Sequence, residues 1–188
     1  LESPSLSQTA PTGAVRDEPI LEALPVKDRE RADELLVQQH AQGIGRACMA
    51  LLGSQAEAED VLQETLLAAL DGLENFRGDG TLRAWLLSVA RRRCAKRLDA
   101  RTRERDLKDR LAMPEATPGA ERASMAARAR LLLDEIRPTE REALVLRFAA
   151  ELSFREVGQA CGIDEAAARK RVSRGLARLR SLLGEDKS

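Results

Sequence analysis

Arg169, Lys170, Arg171, Ser173, Arg174 and Arg178 lie together in the run RKRVSRGLAR. A guanidinium is a planar fork that holds a guanine edge or a phosphate through two hydrogen bonds. This spacing therefore suits binding of nucleic acid rather than bond-making. Residues for bond-making are sparse. His40 is the only histidine, and no carboxylate stands with it or with a nucleophile in a recognisable motif. No catalytic residue is assigned and no enzyme is expected. Cys48, Cys94 and Cys161 are far apart and form no CxxC pair. Metal-ligand spacing is absent, so neither a metal nor a cofactor is expected. The three read as small buried hydrophobes in a reducing compartment.

Charge adds a second clue. With 31 basic and 31 acidic residues the chain is neutral overall, so global charge announces no partner. Its distribution does. Residues 54–75 hold six acidic residues and no basic one, residues 91–110 hold ten basic against four acidic, and residues 164–183 hold six against two. Such segregation suggests two kinds of partner surface. The plainer alternative is that these runs are solvated helix faces.

The elements that must position these residues are helices. Aromatics make up 2% of the chain, and Leu, Ala and Arg dominate, a mixture that favours helix over strand. No alternating strand pattern occurs, and the expected fold class is all-α. Proline punctuates the chain. It divides into a disordered tail over 1–26, a first domain over 27–110, a flexible linker over 111–127 and a second domain over 128–188. No apolar run is long enough to span a bilayer. A cytoplasmic protein without direct membrane insertion is expected.

In the first domain a stripe from Leu35 to Leu52 predicts a helix ending at Gly53. Ser54 and Glu57 form a predicted capping box. The helix they open carries Val61, Leu62, Thr65, Leu66, Ala69, Leu70 and Leu73 inside. The loop Phe76-Arg77-Gly78-Asp79-Gly80 follows, and Thr81 caps a helix with Leu82, Trp85, Leu86 and Val89 on its apolar face. That helix continues into the basic run ARRRCAKRLDARTR.

In the second domain a helix beginning at Leu131 is halted by Pro138. Thr139 and Glu142 read as a second capping box, with Ala143, Leu144, Leu146 and Phe148 on the buried side. Ser153 and Glu156 read as a third, opening a helix with Val157 and Ala160 inside. Gly162 suits the left-handed turn that follows, Asp164 caps the last helix, and Gly184 stops it. Two helices joined by a short glycine turn make a helix-turn-helix, and small Gly158 lets the pair approach closely.

Residues 56–103 resemble domain 2 of the extracytoplasmic-function (ECF) sigma factors, a branch of the bacterial sigma family. The resemblance lies in the acidic AEDVLQE helix, the FRG loop, the TLRAWL helix and the basic continuation, in that order. The stretch from IRPTERE to the end of the basic helix resembles domain 4 of the same family. The resemblance implies two small helical domains that bind core RNA polymerase and direct transcription initiation at promoter DNA. It assigns Asp60, Gln63, Glu64 and Leu67 to polymerase docking. It assigns Phe76, Arg77, Asp79 and Thr81 to capture of an unstacked −10 base, and Arg91, Arg92, Arg93, Lys96 and Arg97 to the neighbouring phosphates. The helix carrying Arg169, Lys170, Arg171, Ser173, Arg174 and Arg178 would read the −35 element in the major groove. It also implies an anti-sigma factor as a partner and a stress- or signal-responsive regulon.

Two other readings remain open at this point. A stand-alone helix-turn-helix regulator explains the second domain but not the acidic helix or the FRGDG block. A sigma-like interaction protein that titrates a regulator would bind partners without supporting initiation.

Overall fold

The computed structural model describes residues 20, 29–73, 76–111 and 131–184. The expected tail lies outside these residues apart from Ile20, as does most of the expected linker. Among the described residues the structure is helical, with no strand. Its principal helices are α1 (Arg29–Leu52), α2 (Gln55–Gly72), α3 (Leu82–Leu111), α4 (Pro138–Phe148), α5 (Phe154–Cys161) and α6 (Glu165–Leu183). Residues 131–134 are also helical.

The first three helices pack on one another around Leu36, Ile44, Leu52, Val61, Leu73 and Leu86, all fully buried. Burying one such side chain stabilises the bundle by roughly 1.5–3 kcal/mol. Trp85 packs against this core and over Gly72. Its apolar role is as expected, with Leu87 and Ala90 buried where the stripe pointed to the half-buried Val89. Cys48 and Cys94 are buried. The neighbouring Cys48 side chain, with burial behind it, pushes the Cys94 thiol far above its ordinary range.

Most helix ends follow the sequence. The Ser153–Glu156 capping box is complete: Glu156 N donates to Ser153 Oγ at 3.2 Å, and Ser153 N donates to Glu156 Oε2 at 2.8 Å. Thr81 Oγ1 accepts from Ala84 N at 3.1 Å, and Asp164 accepts from Ala167 N at 2.6 Å. Gly162 takes φ 68° at the turn. A Cβ on Gly158 would stand 2.7 Å from the Ile163 carbonyl oxygen, so only glycine lets α5 and the turn come this close.

Three expectations are corrected. Glu57 does not complete a box with Ser54; it pairs with Arg101 of α3, leaving Ser54 to cap alone. Thr139 is not a cap. Arg137 is the N-cap residue without a side-chain bond, and Pro138, whose missing N–H costs nothing there, opens α4. Phe148 is 54% exposed rather than buried. It is the last residue of α4 and lies beside the Arg147 guanidinium.

The two helix groups are in contact, mainly through α3 on α5 and α1 on α4. Arg46 Nε donates to the Ala149 carbonyl at 3.0 Å, and Arg83 donates to the Ala150 carbonyl. Both lie at the α4 C-terminus, where unsatisfied carbonyls and the helix dipole favour cations. At the other end of the contact, Arg91 pairs with Glu142 at 2.9 Å and donates to the Ala160 carbonyl at 3.3 Å.

Candidate nucleic-acid interface

Helix α6 divides cleanly into two faces. Ala168, Val172 and Gly175 are buried toward α4 and α5. Arg169, Lys170, Ser173, Arg174 and Arg178 are exposed, and Arg171 is half-buried. Arg169 is pre-oriented. It pairs with Glu165 at 2.5 Å and lies over the Phe154 ring at 4.4 Å. Arg147 covers the same ring at 5.1 Å. No ion pair among the described residues engages Lys170, Arg174 or Arg178. The geometry presents one stripe of donors on a capped helix, as a major-groove reader requires.

A second feature lies at the start of α3. Phe76, Arg77, Asp79, Gly80, Thr81, Trp85, Ser88 and Gln159 line a cavity of about 280 Å³. Phe76 and Trp85 meet with ring centroids 5.7 Å apart, tilted by 50°. Phe76 therefore anchors the loop to the core as well as lining the cavity. Gln159 comes from α5 in the other helix group. Its Oε1 accepts from Thr81 N at 3.5 Å, and Glu156 Oε1 accepts from Thr81 Oγ1 at 3.0 Å. Glu156 is 3% exposed, yet its carboxylate is satisfied by the capping box and by Thr81. Neither partner is legible in the sequence, because each lies more than seventy residues from Thr81.

On α2, Asp60, Gln63 and Leu67 are exposed, Leu67 at 64%. Their i, i+3, i+7 spacing puts them on one stripe. Glu64 turns from that stripe toward α3. Its Oε1 accepts from Arg97 at 2.7 Å and its Oε2 from Arg93 at 3.2 Å. Arg97 also reaches Asp60 at 3.5 Å. One turn further, Arg101 Nε donates to Glu57 at 3.0 Å and its Nη1 to the Leu52 carbonyl at 2.9 Å. Glu57, Asp60 and Glu64 thus face Arg101, Arg97 and Arg93 as an antiparallel ladder. The hydrogen bond to Glu64 raises the Arg97 pKa further, against the opposing effect of burial. These side chains are 28–60% exposed, so each pair contributes no more than about 1 kcal/mol to stability.

The five basic residues assigned to −10 phosphates therefore point three ways. Arg91 binds the second helix group, and Arg93 and Arg97 bind α2. Arg92 and Lys96 are exposed, with no ion pair among the described residues. Arg101 is a ladder member the sequence reading missed. Its signal was there, in basic residues at i, i+4, i+8 opposite acids at i, i+3, i+7.

Among the described residues no group of His, Cys, Asp and Glu is placed to hold a metal, and no helix is long and apolar enough to cross a membrane.

Comparison with known proteins accounts for this arrangement. Residues 36–104 match the family Sigma-70 region 2, and residues 126–179 match Sigma-70, region 4. An ECF RNA polymerase sigma factor, SigE of Mycolicibacterium smegmatis, is 31% identical over 165 residues, covering 81% of this chain and 62% of that protein. The chain thus spans just under two thirds of that relative's length. The ECF RNA polymerase sigma factor EcfG of Rhodopseudomonas palustris is 30% identical over 167 residues, covering 87% of this chain and 90% of the relative. The fold matches the sigma factor RpoE of Bartonella quintana, solved with the anti-sigma factor NepR. The TM-score is 0.62 at 23% identity, over 91% of this chain and 99% of that one. Both halves of the molecule, in order, are those of one family: the chain belongs to the ECF sigma factors of bacterial RNA polymerase.

Proposed function

We propose that this protein binds core RNA polymerase through α2 and directs it to promoters, with the first helix group at the −10 element and α6 at the −35 element. Sigma factors are not enzymes, so the work is done by binding energy. The exposed stripe of Asp60, Gln63 and Leu67 suits a basic partner surface. The cavity beside Arg77, Asp79 and Thr81 has room for one unstacked base, and capturing that base offsets part of the cost of opening the duplex. Arg92 and Lys96, open to solvent, suit the adjoining backbone, a salt-dependent contribution. Lys170, Ser173, Arg174 and Arg178, with Arg169 held ready by Phe154, suit duplex recognition. The observation that carries the reading is that cavity, built from the FRGDG loop in a chain whose α6 presents an open basic stripe.

Gln159 lines the same cavity from the second helix group, and displacement of that group would open the cavity further to a strand. We therefore assign residues 27–110 and 128–188 to separable domains that act in the cytoplasm. The relative RpoE was solved with an anti-sigma factor, and a protein regulator of that type is the expected further partner.

The test is run-off transcription with purified core polymerase on DNA from upstream of this protein's own coding region. The expected transcript appears only with the protein added and is lost with Asp60→Arg or with Arg169→Glu/Arg174→Glu. Core binding without a transcript on any promoter library would favour a titrating interaction protein. Absence of core binding, with tight binding to duplex DNA, would favour a stand-alone regulator.

A further inference from the structure

The ladder between α2 and α3 bears on how polymerase is held. Arg97 directs Nη2 to Glu64 at 2.7 Å and Nη1 to Asp60 at 3.5 Å. Both ends of its fork are therefore engaged by carboxylates of the polymerase-facing helix. Arg93 takes the other oxygen of Glu64 at 3.2 Å. Glu64 is thus held through both oxygens, and it sits one turn from Asp60 on the same helix. Arg92 and Lys96, one turn apart on a different face of α3, are exposed and free of such pairing among the described residues.

We infer that Arg93 and Arg97 are positioning residues for polymerase docking rather than contacts to DNA, and that Arg92 and Lys96 hold the −10 backbone. This rests on the sigma-factor reading above. Three physical points carry it. An arginine that reached a phosphate from here would leave Glu64 facing α3 without its partners, so DNA contact carries the cost of breaking the ladder. The carboxylates that the ladder engages include Asp60, which lies on the exposed stripe with Gln63 and Leu67. A flexible carboxylate loses rotamer freedom on binding, and a carboxylate already fixed loses less, so a fixed one binds more tightly. A lysine at position 97 would keep the charge but could not bridge two carboxylates, because it lacks the planar fork.

The experiment uses the full chain and two readouts. One is affinity for purified core polymerase. The other is the slope of log binding constant against log salt for the assembled holoenzyme on a promoter fragment. Arg93→Ala/Arg97→Ala is expected to weaken core binding by about tenfold with the slope unchanged. Arg97→Lys should also weaken core binding, by about threefold, again with the slope unchanged. Arg92→Ala/Lys96→Ala should leave core affinity unaltered and make the slope shallower by about 1.5, at roughly 0.7–0.9 per phosphate lost. Thermal unfolding confirms that each variant is folded. The assignment is overturned if Arg93→Ala/Arg97→Ala binds core normally, or if it flattens the slope as much as Arg92→Ala/Lys96→Ala does. Failure of the underlying reading looks different: the unaltered protein would not bind core, or Asp60→Arg would bind it undiminished.

Discussion

The basic end of α3 and the helix α6 both carry runs of arginine, and the fold treats them in opposite ways. On α3, Arg91 reaches Glu142 and Ala160 in the second helix group, while Arg93, Arg97 and Arg101 reach carboxylates of α2. On α6, Lys170, Arg174 and Arg178 face solvent, and Arg169 is braced by Glu165 and Phe154 yet still exposed. A basic run in a sequence is thus an inventory of cations. Which of them remains available to DNA depends on carboxylates that folding brings alongside. Helix α6 keeps its cations because it packs through small residues, Ala168 and Gly175, with Val172 between them. Helix α3 lies against an acidic neighbour.

That contrast breaks most readily on α6. Lys170→Glu with Arg174→Glu reverses two open charges, and a single lost base or phosphate contact already costs about 1–3 kcal/mol. Transcription from a −35-dependent promoter should fall by at least about 30-fold, with core affinity unchanged. Run-off transcription beside a core-binding assay checks both. An undiminished transcript would mean that α6 does not read the promoter, and the difference between the two helices would carry no functional meaning.

How much of this was legible in the sequence follows from the distance over which each feature is set. The Ser153–Glu156 box, the Asp164 cap and the Gly162 turn are closed within four residues, and the sequence reading placed all three. The reading of Ser54–Glu57 was half right, because Arg101 draws Glu57 away from 44 positions further on. At Thr139 the local pattern was outweighed by Pro138, whose fixed φ suits the first helical position. Phe148 continued an apolar stripe on paper, but α4 ends there and the ring is left outside. The cavity wall was the least legible part. Arg77, Asp79 and Thr81 come from one loop, whereas Gln159 arrives from the far end of the chain.

The orientation of α6 rests on the close approach at Gly158, which offers a second way to probe the contrast. A methyl group there meets backbone, the Ile163 carbonyl oxygen at 2.7 Å, rather than the end of a side chain that can swing away. Gly158→Ala should destabilise the second helix group by roughly 1–3 kcal/mol, as overpacking against a fixed neighbour does. Thermal unfolding followed by circular dichroism measures this. An unchanged midpoint would show that the turn relaxes freely and does not fix how α6 presents its arginines.

The third probe concerns Arg91, which like Arg83 is a cation of α3 that faces the second helix group. Cys161 stands beside it, and burial pushes that thiol above its ordinary value, with Arg91 opposing the shift. A raised thiol pKa means that the folded state holds the proton more tightly. Its contribution to docking is therefore complete below the ordinary thiol pKa and is lost as pH rises through the raised one. Undocking should return the thiol to its ordinary range, and each unit regained gives about tenfold more thiolate. Arg46→Ala with Arg83→Ala removes two donors to the α4 carbonyls without touching the surroundings of Cys161. Alkylation of Cys161 at pH 8 should accelerate by up to about tenfold, followed by mass spectrometry, while buried Cys48 and Cys94 stay slow. Equal rates at Cys161 in both proteins would mean that these arginines do not hold the groups together.

The smallest effect is the most telling about the ladder itself. Asp60 and Arg97 are 60% and 33% exposed and 3.5 Å apart, a pair in reach of water and salt. A double-mutant cycle over Asp60→Ala and Arg97→Ala should give a coupling in stability below about 1 kcal/mol. It should fade further at 1 M salt, where screening acts over about 3 Å. A coupling of 3 kcal/mol that ignored salt would make the ladder a structural strut, and any loss of polymerase binding on cutting it would then follow from unfolding. A weak, salt-sensitive coupling leaves the other conclusion standing: these arginines contribute little to whether α2 and α3 fold together, and much to how α2 presents its carboxylates.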